Sequence, residues 1–157
     1  MLILVREAIA SADESAAVVL IRVERPKLAK RIWRGAADDG QEFGFELTEP
    51  LKSGETIYQI DSRRYVIIQT PEPVLEISLD LPTSAAAGIG WAVGNLHLEL
   101  SAEPSRMLTP DDPAARQLLG RLGITFRAVE AVFRPGRFSR GEKTAQASQE
   151  LGPSHQH

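Results

Sequence analysis

Thr70-Pro71-Glu72-Pro73 divides the chain into two stretches of different rhythm, because two prolines in three residues remove amide donors and press their neighbours into extended backbone that no helix can cross. Before it, short β-type runs alternate with turn residues: Leu2 to Ile9, Ala17 to Val23, Ala29 to Arg34, Glu42 to Leu47, Thr56 to Ile60 and Tyr65 to Gln69. Asp38-Asp39-Gly40 is the strongest hairpin signal, since Asp tolerates turn conformations and Gly supplies a positive φ; Ser53-Gly54 and Asp61-Ser62 mark further turns. This pattern predicts a small all-β N-terminal domain over residues 1–72.

Beyond the prolines the order changes. A strand is expected from Val74 to Leu79, a helix near Ser84 to Val93, a strand from Leu96 to Leu100, a short strand near Arg106 to Leu108, a helix near Asp112 to Leu122 and a strand from Ile124 to Phe133. That is a ferredoxin-like βαββαβ unit over residues 73–138, so the fold class is α+β. Thr109-Pro110-Asp111-Asp112 punctuates the start of the second helix and Gly123 its end, with Ala115, Leu118, Leu119 and Leu122 as the buried stripe. Residues 139–157 are rich in Ser, Gly, Gln, Glu and Lys and poor in large apolar side chains, and are expected to be a flexible tail.

One segment departs from the composition of the rest. A quarter of the chain is charged, yet Leu81 to Leu98 holds no charged residue. Helical spacing places Ala85, Ala86, Ile89, Ala92 and Val93 on one face and Ala87, Gly88 and Trp91 on the other, so both faces are apolar. One face packs on its own sheet; the other calls for a cover, and a second copy across a two-fold axis supplies it. Gly94-Asn95 is expected to end the helix. Alternation in the next strand then turns Leu96, Leu98 and Leu100 inward and leaves His97 and Glu99 on the opposite face.

His97 is the only histidine before residue 155, and a two-fold axis would make it a pair. Neutral imidazoles bind Ni, Cu or Zn, and His155 and His157 near the C-terminus can complete a coordination shell, giving six imidazoles per dimer from three per chain. The absence of cysteine removes thiolate zinc sites, iron–sulfur clusters and cysteine nucleophiles. An imidazole site without thiolate titrates near neutral pH, which suits reversible carriage. Taken singly, His97 reads as a surface or interface histidine with a satisfied hydrogen bond, and His155 and His157 as a solvated terminus; it is in combination that they point to a metal. Glu99 is a candidate acceptor for the second ring nitrogen of His97.

Enzyme motifs are missing: there is no G-x-S-x-G, Walker loop, G-x-G-x-x-G or H-E-x-x-H pattern. With 18 basic and 21 acidic residues the charge is -3, and only 6% of residues are aromatic, so nucleic acid is not an expected partner. No apolar run approaches the ~20 residues of a membrane span, and Met1-Leu2-Ile3-Leu4-Val5-Arg6-Glu7 lacks the basic start of a secretory signal, so the cytosol is the expected compartment and no membrane partner is expected. A competing reading is a metal-free protein- or RNA-binding module using Lys27, Lys30, Arg31 and Arg34, although these residues suit a charged edge strand better than a docking patch.

At this point the sequence resembles the urease accessory protein E (UreE) nickel metallochaperones. The resemblance rests on Trp91-Ala92-Val93-Gly94-Asn95-Leu96-His97, the basic stretch Lys27 to Arg34 followed by Asp38-Asp39-Gly40-Gln41-Glu42, Ser53-Gly54-Glu55, Pro71-Glu72-Pro73-Val74-Leu75-Glu76, Leu122-Gly123 leading into Val129 to Pro135, and the closing His155-Gln156-His157. It implies a peptide-binding-like N-terminal domain, a metal-binding and dimerisation domain, a flexible histidine-bearing tail, and delivery of Ni(II) to the urease apoprotein together with the other urease accessory proteins, including the GTPase. His97 corresponds to the family's interface ligand, with His155 and His157 as further metal ligands, and Zn or Cu as competing ions. Leu96 stands where the family usually has a basic residue.

Overall fold

Strand pairing in the first half of the computed structural model joins runs that lie far apart in sequence. Residues 1–139 and 148–150 are described. The chain divides after Pro71 into two units. The first contains β1 (Leu2–Val5), β2 (Ala17–Val23), a one-turn helix α1 (Arg25–Leu28), β3 (Ile32–Ala36), β4 (Glu42–Glu46), β5 (Thr56–Ile60) and β6 (Arg63–Gln69). They build two three-stranded sheets, β1-β4-β3 and β2-β6-β5. The Asp38-Asp39-Gly40 turn joins β3 to β4 and Asp61-Ser62 joins β5 to β6, both antiparallel, whereas β1 lies parallel to β4 and β2 parallel to β6. Between the sheets Ile21, Phe43, Phe45, Tyr65 and Ile67 are buried, and the Trp33 and Phe45 rings stack 3.8 Å apart.

Two expected strands are shorter than the pattern suggested. The run from Leu2 to Ile9 forms a strand only as far as Val5. The run from Ala29 to Arg34 starts at Ile32, because Pro26 sits in the first turn of α1 and its fixed φ starts a helical turn whose Leu28 enters the core. The hairpin turn is tied down by charge. Asp39 accepts from the Gln41 amide at 3.0 Å and from the Tyr65 hydroxyl at 2.9 Å, with Arg63 at 3.4 Å, and these contacts, the amide first, hold its carboxyl below the usual aspartate range.

The second unit contains β7 (Glu72–Ser78), α2 (Thr83–Asn95), β8 (Ser101–Ala102), β9 (Arg106–Pro110), α3 (Pro113–Arg121), β10 (Arg127–Ala131), β11 (Arg137–Ser139) and β12 (Ser148–Glu150). Pro73 lies one residue inside the start of β7, where a missing N–H is tolerated. The sheet order is β10-β7-β9-β8-β11-β12, with β8 and β11 parallel and every other pair antiparallel. Alternation sends Leu75, Ile77 and Met107 into a core with Ile89 and Val93 of α2 and Ala115, Leu118 and Leu119 of α3. Val74 and Leu108 pack with Ala131 and Phe133 on the reverse face.

Asp112 caps α3 by accepting from the Ala114 amide at 2.7 Å, and Gly123 (φ 66) follows the helix end in the left-handed conformation. The buried stripe stops at Leu119; Leu122 is half exposed. Of the tail expected over residues 139–157, Ser139 and Ser148–Glu150 lie in β11 and β12, and His155 and His157 lie outside the described residues.

After β10 the chain changes edges. Residues 132–136 carry it from β10 past β8 to the position of β11, four strand spacings or about 19 Å away. Phe133 is fully buried against Val74 and Leu108 during the crossing, and the Gly136 amide donates to the Leu100 carbonyl at 2.8 Å before β11 pairs with β8. Among the described residues no helix is long and apolar enough to cross a membrane.

Candidate metal site

The charge-free segment forms α2, longer than expected at both ends. Ile89 and Val93 are buried, Ala85, Ala86 and Ala92 partly so, while Ala87, Gly88, Trp91, Gly94 and Asn95 are exposed, so the two faces divide as the spacing predicts. Trp91 is 73% exposed, an unusual position for the largest apolar side chain of the helix. A Cβ placed on Gly88 or Gly94 would meet nothing within 4 Å, so the chain's own packing does not require glycine at either position.

His97 emerges from the end of this helix. The expected strand from Leu96 to Leu100 does not form: Leu96 caps α2, His97 takes the left-handed conformation (φ 57), and regular pairing begins only at Ser101. The His97 amide donates to the Gly94 carbonyl at 2.9 Å and the Leu98 amide to the Val93 carbonyl at 3.3 Å, which wraps the ligand candidate against the helix end. Leu98 and Leu100 still turn toward the core as alternation required, and Leu96 does not, being 40% exposed. His97 and Glu99 are both exposed, but no strand pleat aligns them, so the shared-face argument for Glu99 falls with the strand.

Thr109 was missed in the sequence, although the signal was present. It follows Met107 by two in β9, which puts a hydroxyl on the side facing the helices, where a buried polar group needs a partner. That partner is the Glu99 carbonyl, 2.8 Å from Thr109 Oγ1. The segment after His97 is therefore held by Thr109 at Glu99 and by Gly136 at Leu100.

Among the described residues no three His, Cys, Asp or Glu side chains converge. His97 thus offers one imidazole in the chain, too few for a transition-metal site unless further ligands join it. The two aspartates before α3 are engaged locally: Asp111 pairs with Arg116 at 2.6 Å, which holds its carboxyl below the usual range, and Asp112 caps α3.

Residues 72–157 match the family described as UreE urease accessory protein, C-terminal domain. The urease accessory protein UreE of Rhodobacter capsulatus is 33% identical over 128 residues, covering 79% of this chain and 77% of that protein. Urease accessory protein UreE 1 of Brucella suis biovar 1 is 31% identical over 130 residues, covering 80% and 78%. With UreE of Ruegeria sp. (strain TM1040) identity rises to 39% over 70 residues, and the matched part spans 44% of this chain and 37% of that protein.

Proposed function

The chain belongs to the UreE family of urease accessory proteins, accessory chaperones rather than enzymes, and from that premise we propose that it is a metallochaperone that delivers Ni(II) to apo-urease during urease maturation. The ion is cargo, carried between two copies of the chain, with His97 of each protomer as the central ligand pair and His155 and His157 as auxiliary ligands. Zn(II) and Cu(II) compete for the same imidazoles.

The observation that carries this reading is an uncharged, exposed helix face that ends in an exposed histidine. Trp91 is the natural anchor of an interface there, and the open space at Gly88 and Gly94 leaves room for a second backbone. Two such faces meeting across a two-fold axis bring two imidazoles to one place, which answers the shortage of ligands in the single protomer. In this reading the tail histidines join the same ion. Glu150 pairs with Arg137, next to the Gly136 that binds Leu100, and the five residues from Glu150 to His155 extend to about 17 Å.

In this reading residues 73–138 are a ferredoxin-like metal-binding and dimerisation domain, supported by the strand order β10-β7-β9-β8 with two helices on one face. Residues 1–72 are a peptide-binding-like domain for contacts with the urease apoprotein and the other accessory proteins, the GTPase among them.

Titration calorimetry with Ni(II) on the wild type and His97→Ala, each checked for dimerisation by sedimentation, tests the assignment. The expected result is one or two ions per wild-type dimer and loss of the tight phase in the variant. Equal stoichiometry and affinity for the two proteins would refute it.

A further inference from the structure

We propose that Thr109 is a positioning residue for the metal ligand: its buried hydroxyl, acting with the Gly136 amide, fixes the backbone that presents His97 to the ion. The inference rests on the reading of His97 as a nickel ligand. Its physical basis lies in how the β8–β9 ladder ends. The register sets Ser101 opposite Leu108, so continuing it would set Leu100 opposite Thr109 and Glu99 opposite Pro110. Proline has no amide to give, so the ladder bond to the Glu99 carbonyl cannot form. The Thr109 hydroxyl, fully buried, makes the missing contact instead, donating to the Glu99 carbonyl at 2.8 Å.

The consequence reaches His97 because little chain lies between the anchors. On one side its own amide and that of Leu98 are bound to the carbonyls of Gly94 and Val93. On the other, the carbonyls of Glu99 and Leu100 are held by Thr109 and Gly136, and the Leu98 and Leu100 side chains pack on the core. His97 sits between these anchors with φ at 57, a conformation that an L-residue keeps only where the surroundings hold it. A ligand held this way needs no backbone ordering when the ion arrives, and its imidazole leaves the chain in one direction. Without the hydroxyl, the Glu99 carbonyl loses the Thr109 contact, and the loop is freer to relax toward ordinary φ values.

The test compares Ni(II) calorimetry and the visible absorption of the bound ion in wild type, Thr109→Val, Thr109→Ser and His97→Ala dimers. Valine keeps the shape of threonine and removes the donor, so it is expected to weaken nickel binding by about tenfold and to shift the absorption bands, with stoichiometry and dimerisation intact. Serine restores the donor and is expected to restore both affinity and spectrum. Thr109→Ala, which demands no space for a second methyl, gives the same comparison if the valine protein does not fold. A folded Thr109→Val or Thr109→Ala dimer with wild-type affinity and spectrum, alongside a His97→Ala protein that has lost the site, would overturn the positioning role and leave the carrier reading standing. His97→Ala that binds nickel like the wild type would instead remove the carrier reading, and the positioning role with it.

Discussion

Arg106 reaches Glu76 across the β7–β9 pair at 2.8 Å, and the same carboxylate accepts from Arg127 of β10 at 2.6 Å, so one glutamate ties three neighbouring strands. Arg106, and then Arg127, hold the Glu76 carboxyl below the usual glutamate range. A folded-state pKa below the unfolded one contributes stability that is present above about pH 4.3 and is lost as pH falls through the folded value. Glu76→Gln is expected to lower stability at neutral pH by about 1 kcal/mol and to flatten its decline under acid. Urea unfolding at pH 7 and across pH 5 to 3 checks this, and an unchanged acid slope would contradict it.

Tyr65→Phe removes a single buried hydroxyl contact, since the ring is enclosed while its oxygen bonds Asp39. A loss of about 1 kcal/mol is expected in urea unfolding. The Asp39 carboxyl is expected to rise only part of the way to its ordinary value, because the Gln41 amide is the leading cause of its depression and remains in place. Carbon-13 titration of the aspartate carboxyls reads this directly. A full return to the ordinary aspartate range would assign the depression to the tyrosine instead.

Trp91→Glu places a charge in the middle of the uncharged α2 face. Trp91 is so exposed that the fold of the single chain should change by less than about 0.5 kcal/mol. Self-association should fall by at least about tenfold, as expected for an aromatic anchor. Sedimentation equilibrium gives the first quantity that matters, and circular dichroism confirms the retained fold. An undiminished dimer would place the interface elsewhere.

Truncation after Gly152 removes His155 and His157 and leaves β12 intact. Nickel titration should then show weaker or fewer ions per dimer with no change in oligomeric state. A truncated protein with the wild-type isotherm would exclude the tail from coordination.

Local chemistry explains which features could be read in advance. Hairpins around Asp38-Asp39-Gly40 and Asp61-Ser62 follow from turn residues a few positions apart, and the Asp112 cap follows from one side chain beside a helix start. The division of α2 into a buried and an exposed face follows from helical spacing alone. By contrast, the parallel pairings β1–β4 and β2–β6 join residues 40 and 46 positions apart and leave no local mark. The segment from Leu96 to Leu100 shows the opposite error. Its alternation is real, and Leu98 and Leu100 do face the core, yet a strand needs a partner with amides to offer, and Pro110 has none there. Alternation records which side is dry, not whether a neighbour is present.

Synthesis proceeds from the N-terminus, and this places a constraint on the second unit that a finished structure conceals. The edge of β8 receives its neighbour only when Phe138 has emerged, and the reverse face of the sheet receives its aromatic filler only with Phe133. Until those residues leave the ribosome, the nascent chain carries an apolar sheet surface and an open strand edge at once, the combination that invites off-pathway association during translation. The segment that seals the sheet is therefore made after the strands it covers.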